Sequence, residues 1–116
     1  MKFKLPKFQS EKLVELSKKL FQDRHAKALQ DLKELENQNP DDMRLRQRIA
    51  EAYYKQGRGE EAAEAFRVIA EHHEKEDFVI KAIDAYKNMI KIRPELVEIN
   101  LRLTSLYLKV GMNLEA

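Results

Sequence analysis

Residues 49–66 read IAEAYYKQGRGEEAAEAF, and their spacing decides the fold. Ala50 and Tyr53 lie three apart, on one face of a helix running from about residue 43 to residue 56. Gly57-Arg58-Gly59 stops that helix, because glycine tolerates the left-handed conformation a helix end needs. Glu60 and Glu61 then suit the first turn of a new helix, where unpaired amides favour negative charge. Ala62 and Phe66, four apart, share its inner face, and the helix continues to about Lys75. Two helices joined so tightly must pack antiparallel. Small alanines let them approach closely, and aromatic rings fill the gaps between neighbouring turns.

The same punctuation extends in both directions. Upstream, Ser10 can cap a helix to about Phe21 that carries Leu13, Leu16 and Leu20, and Asp23 can cap another with Ala28, Leu32 and Leu35. Asn39-Pro40-Asp41-Asp42 is a stop followed by a start, since proline cannot continue a helix and the aspartates favour the next N-terminus. Downstream, one helix runs from about Asp77 to Ile92, ending before Pro94. The last runs from about Glu95 to Val110 and stops at Gly111. No segment alternates with period two long enough for a strand. The expectation is an all-α domain over residues 10–116, about six antiparallel helices with short loops. Residues 1–9, with Lys2-Phe3-Lys4-Leu5-Pro6-Lys7-Phe8, read as a flexible basic-aromatic tail, because Pro6 cannot sit inside a helix.

Composition agrees with this and excludes several classes. The 116 residues suffice for one domain, with 43% hydrophobic residues for a core, 36% charged residues and a mean hydropathy of −0.65. Twenty-two basic residues against 20 acidic ones leave a net charge of +2, without the clustered basic face of a dedicated nucleic-acid binder. The absence of cysteine removes disulfides, thiolate metal sites and cysteine nucleophiles. No apolar run is long enough to span a membrane, and the first ten residues lack a signal-peptide core, so a cytoplasmic location is expected.

Self-similarity is the most informative feature. Ala28-x3-Leu32 is followed eight residues later by Pro40, and Ala82-x3-Tyr86 eight residues later by Pro94. Ala62-x3-Phe66 stands 34 residues after Ala28-x3-Leu32. Ile49-Ala50-x2-Tyr53 with Gly57 matches Leu103-Thr104-x2-Tyr107 with Gly111. Over roughly residues 9–116 the chain resembles the tetratricopeptide repeat family, whose pattern is W-x2-L-G-x2-Y, then A-x3-F, then P. The resemblance implies a right-handed α-solenoid packed at Ala28, Leu32, Pro40, Ala50, Tyr53, Ala62, Phe66, Ala70, Ala82, Tyr86, Pro94 and Tyr107. The sequence departs from the pattern in places. Arg46 and Asn100 fill the tryptophan slot, and Leu16 and Lys19 fill the small and aromatic slots of the first helix. The spacing also breaks once. Ala62 to Ala82 is 20 residues rather than 34, and Ala70-x2-His73 stands before Ala82-x3-Tyr86. The helix at 60–75 therefore serves two repeats, and the solenoid is expected to be irregular there.

Few residues suggest chemistry. His72 and His73 are adjacent, so on a helix they point about 100° apart and cannot chelate one ion together. A helix end separates His73 from Asp77, and His73 occupies a slot for an aromatic ring. No Gly-x-Ser-x-Gly, His-Glu-x2-His or phosphate-binding glycine loop is present, so no catalysis, cofactor or metal is expected. The resemblance instead implies a scaffold or adaptor that binds a partner protein or peptide on a concave face lined by first helices. Those positions are Arg44, Gln47, Arg48, Glu51, Tyr54 and Lys55 on one helix. On the last helix they are Glu98, Leu101, Arg102, Ser105, Leu108 and Lys109. Their chemistry suits an acidic or amphipathic peptide. The carboxylate clamp of chaperone-binding repeats is not expected, because the corresponding positions hold Ser10, Val14, Arg44 and Arg48 with no asparagine. The stretch from Gly59 to Pro94 is similar to segments of bacterial repeat proteins tied to motility and polarity complexes. The alternatives are a nucleic-acid-binding helical-repeat module and an oligomerising accessory subunit without its own ligand. Asn113-Leu114-Glu115-Ala116 reads as the start of a partner helix that is not completed. Leu103, Leu106 and Tyr107 are then expected to lack cover, and the chain is expected either to be a fragment of a longer repeat protein or to have this end covered by another chain, including by self-association through the C-terminal helix.

Overall fold

The computed structural model describes residues 7–115, with side chains from residue 10 to residue 111. Its five α-helices are α1 (Lys7–Gln38), α2 (Met43–Lys55), α3 (Gly59–Lys75), α4 (Val79–Ile92) and α5 (Val97–Glu115), with no strand among the described residues. Each helix packs against its neighbours in the chain, and the body is elongated, 69 × 33 × 26 Å. The helices zigzag between two layers. α1, α3 and α5 form one layer and share grooves on its outer side, while α2 and α4 form the other.

The all-helical expectation holds, with five helices in place of six. Residues 10–21 and 23–38 form one continuous helix, the 32-residue α1. The segment from Lys7 to Gln38 contains neither glycine nor proline, and Ser10 or Asp23 alone does not stop a chain of good helix formers. Residues 7–9, assigned to the tail, belong to this helix, and residues 1–6 lie outside the described residues. At the other end, Gly111 lies inside α5, which continues to Glu115. Glycine permits a left-handed turn but does not impose one. The partner helix expected from Asn113 is therefore part of α5, and Ala116 lies outside the described residues.

The turns explain how the middle of the chain repeats. After α2, Gly57 has φ 76°. Its N–H donates to the Tyr54 carbonyl (3.0 Å), and the Arg58 N–H donates to the Tyr53 carbonyl (2.9 Å). This paired bonding satisfies carbonyls that the helix end leaves free. Twenty residues later the same turn recurs around Asp77, with φ 61°. The Asp77 N–H donates to the Glu74 carbonyl (3.0 Å) and the Phe78 N–H to the His73 carbonyl (2.8 Å). Aspartate is one of the few residues besides glycine that enters this region readily. The sequence pattern places a helix start at Asp77, whereas α4 starts at Val79.

The core repeats with the same shift. Ala50, Ala62, Ala70 and Ala82 are 0% exposed, so no larger side chain fits at these helix contacts. Phe66 and Tyr86 are buried beside them, as are Ile69 and Met89. α3 is thus the second helix of the hairpin α2–α3 and the first helix of the hairpin α3–α4. Ile99, Leu103 and Leu106 of α5 join the larger core cluster, so Leu103 and Leu106 do not lack cover, while Tyr107 is exposed. Near the start of the solenoid the register differs by one residue. Ala28 is exposed, Leu29 is buried and Leu32 is half-buried.

The two tryptophan-slot departures have a physical reading. Arg46 donates to the Pro40 carbonyl from Nε (3.1 Å) and Nη2 (2.9 Å). Asn100 donates to the Pro94 carbonyl (3.2 Å). Each polar side chain reaches back six residues to tie down the loop that leads into its own helix. Both prolines are themselves exposed.

Candidate interaction grooves

Asp42 begins the first groove by capping α2, its carboxylate accepting from the N–H groups of Arg44 (3.0 Å) and Leu45 (3.3 Å). That fixes the phase of α2. Arg44, Gln47, Arg48, Glu51, Tyr54 and Lys55 then line depressions shared with Lys81, Asn88, Lys91 and Ile92 of α4. Phe66 and His73 of α3 form part of the floor. Five cations, Arg44, Arg48, Lys55, Lys81 and Lys91, meet three carboxylates, Asp41, Asp42 and Glu51. Two of these carboxylates are already engaged, Asp42 at the helix cap and Glu51 by Gln47 (3.1 Å). The Arg44–Asp42 approach is loose, at 4.0 Å, and the Arg44 side chain is 96% exposed. Among the described residues, Arg48, Lys55, Lys81 and Lys91 take part in no ion pair. Tyr54 is exposed and lines the same depression as Lys55 and Lys91.

The second groove lies between α3 and α5 and is lined by Arg67, Glu71, Glu74, Lys75, Tyr86, Glu98, Leu101, Arg102 and Ser105. Two of its three cations, Arg67 and Arg102, are held in ion pairs. Arg102 grips Glu74 with two nitrogens, Nε at 2.9 Å, and the Tyr86 hydroxyl donates to the same carboxylate at 3.3 Å. Burial pushes the Tyr86 hydroxyl's pKa up, and the neighbouring Glu74 charge adds to the shift. Arg67 pairs with Glu64 at 3.3 Å, and Lys109 reaches Asp77 at 3.3 Å.

The tetratricopeptide repeat family matches residues 20–78, from the middle of α1 through the turn after α3. The chain belongs to the tetratricopeptide repeat family. A search of curated proteins returns no match to it. Its repeats make it a protein-interaction scaffold in general terms, and among the described residues no helix is long and apolar enough to cross a membrane.

In this tetratricopeptide repeat protein the twelve residues expected on one concave face come from two helices that line different grooves. The six from α2 face the α2–α4 groove. Leu101, Arg102 and Ser105 face the α3–α5 groove, and Lys109 reaches the turn before α4. The grooves have no residue in common. The cause is the shared helix α3: one helix used twice advances the zigzag by a single step, so the next first-helix signature falls in the opposite layer.

Sequence reasoning missed Lys81, Asn88 and Lys91, because α4 carries a second-helix signature, which points to its inner side rather than its outer one. His73 borders the same groove, and its Nδ1 is buried without a hydrogen-bond partner. Burial first, then His72 and Lys81, holds its pKa below the ordinary histidine value. The His72 and His73 rings meet edge to face, 5.7 Å apart. Among the described residues no group of three or more histidine, cysteine or acidic side chains converges for a metal ion.

Proposed function

We propose that this tetratricopeptide repeat protein is a cytoplasmic adaptor that binds an acidic, partly apolar segment of a partner protein in the α2–α4 groove, with no chemistry of its own. One observation carries the choice of groove. Among the described residues four cations there take part in no ion pair and an exposed tyrosine lies beside two of them, whereas two of the three cations lining the α3–α5 groove, Arg67 and Arg102, are paired. Unpaired guanidinium and ammonium groups gain most from an incoming carboxylate, because no internal ion pair has to be broken first. Tyr54 offers the large, rigid apolar contact that a bound side chain needs.

The test is the affinity of a labelled peptide that mixes glutamate with leucine, followed by fluorescence anisotropy. Arg44→Glu with Arg48→Glu should weaken binding at least about tenfold while the helical circular dichroism is kept. Ser105→Glu, in the other groove, should leave the affinity unchanged. Wild-type affinity in the double variant, or binding of an oligonucleotide in its place in a gel shift, sinks this reading.

A further inference from the structure

The two ends of the α2–α4 groove differ in chemistry. Lys81, near the start of α4, shares a depression with Arg44 and Arg48, near the start of α2. Asn88, Lys91 and Ile92, near the end of α4, share another with Tyr54 and Lys55, at the end of α2. The two helices therefore run parallel, and both start at the same end of the groove. Gln47 and Glu51 border both depressions and join them. At the starting end three carboxylates face Arg44, Arg48 and Lys81. Asp42 caps α2 and Glu51 accepts from Gln47, which leaves Asp41 against three cations. Arg44 and Lys81 also lie in first turns, where the helix dipole adds to positive charge instead of offsetting it. The first turns of α3 and α5 carry Glu60, Glu61 and Glu98 instead. At the finishing end Lys55 and Lys91 lie in last turns, where the backbone carbonyls offset part of their charge. Tyr54, Phe66 and Ile92 give that end its apolar surface. Among the described residues Met43 is the one aliphatic side chain lining the other end.

We propose that the partner segment lies in this groove with a fixed polarity, its carboxylates at Arg44, Arg48 and Lys81 and a large apolar side chain against Tyr54, Phe66 and Ile92. The inference rests on the reading of the α2–α4 groove as the binding site, and it adds the order of the two halves and their spacing. Unpaired cations whose charge the backbone does not offset gain most from a carboxylate. The apolar surface at the other end gains most from a side chain that leaves water. The midpoint of Arg44 and Arg48 stands eight residues before Tyr54, a rise of about 12 Å along α2. An extended chain covers that distance in about four residues, at about 3.3 Å each. The partner segment thus carries its acidic group and its apolar anchor about four residues apart. A segment with the two adjacent fills one end of the groove and leaves the other empty.

Nuclear magnetic resonance of the protein with a spin-labelled peptide tests this. The probe is a pair of glutamates and a leucine separated by about four serine and glycine residues, with a nitroxide on a cysteine added at one end or the other. With the nitroxide beside the glutamates, the amide signals of Arg44, Arg48 and Lys81 should lose the most intensity. With the nitroxide beside the leucine, the loss should move to Tyr54, Asn88 and Lys91. Placing the glutamates next to the leucine should weaken binding at least about threefold. The opposite pattern of losses, or equal losses at both ends with either label, overturns the fixed polarity while leaving the groove as the binding site. Undiminished affinity for the peptide with adjacent glutamates and leucine overturns the spacing in the same way. Losses confined to the α3–α5 groove, around Arg102 and Ser105, or no loss at any amide, sink the choice of groove and this inference with it.

Discussion

The hairpins α2–α3 and α3–α4 share a helix and a plan, yet they solve the same local problems with different residues. The first uses Gly57 in its left-handed turn and Phe66 in its core. The second puts Asp77 and Tyr86 at the corresponding positions. The substitutes are the polar ones, and both reach towards α5. Asp77 accepts from Lys109, and the Tyr86 hydroxyl donates to the carboxylate that holds Arg102. What looks like erosion of a repeat motif is therefore where the last helix is fastened. The first hairpin has the residues that suit the turn and core best. The second gives up some of that fit to hold its neighbour.

The largest test of this contrast lies in the core. Phe66→Ala should cost about 3–5 kcal/mol in a denaturant melt, because burial is reduced and a cavity is left behind. Tyr86→Ala should cost a similar amount and also loosen α5, seen as faster amide exchange in Leu103 and Leu106. Equal exchange at those positions in both variants would remove the special role of Tyr86. The turns give a smaller effect with opposite signs. Gly57→Ala places a Cβ at φ 76° and should destabilise by about 1 kcal/mol, whereas Asp77→Gly should stabilise by up to about 1 kcal/mol. Asp77→Gly also removes the exposed ion pair with Lys109, which offsets little of that gain. Two changes of the same sign would mean that the turns are not equivalent.

The smallest expected effect concerns His73, which stands where the first hairpin has Tyr53. Its pKa in the folded protein lies below the unfolded value, so the unfolded chain takes up the proton first as pH falls. His73 therefore lowers stability as pH drops below about 6.5, the ordinary histidine value. Burial is the main cause of the shift, and the charges of His72 and Lys81 add to it, while Arg44, Arg48, Asp41, Asp42 and Glu51 line the same depression. His73→Phe should flatten this part of the melting profile between neutral pH and the onset of carboxylate protonation. An unchanged slope would assign the pH dependence to other groups.

Much of the fold is legible in the sequence because helices 43–55 and 59–75 are bounded by strong signals, Pro40 with Asp42 on one side and Gly57 on the other. The alanine and aromatic positions of these helices stand out by spacing alone. Three features are not legible. The continuity of α1 and of α5 through Gly111 depends on packing and on the absence of a reason to stop, and single-residue signals do not report either. Asp77 adopts a glycine conformation, and the residue type also suits a helix start, so the two readings compete. The grouping of the outward-facing residues into grooves turns on one step. The 20-residue break is plain in the spacing, but spacing does not say on which side the next helix packs. A helix shared by two hairpins sends the next first helix to the other layer. The sequence separates the outward-facing residues of each helix from the core, yet it does not show which of them assemble into one surface.

That change of layer is also the most direct thing to measure. The chain has no cysteine, so spin labels can be attached at introduced pairs without background. Glu51 and Asn88 line the same depression between α2 and α4, whereas Glu51 and Arg102 lie in grooves that share no residue. A dipolar distance measurement should give the shorter separation for labels at 51 and 88, and the longer for labels at 51 and 102. The reverse order would put α2 and α5 on one face and contradict the sharing of α3.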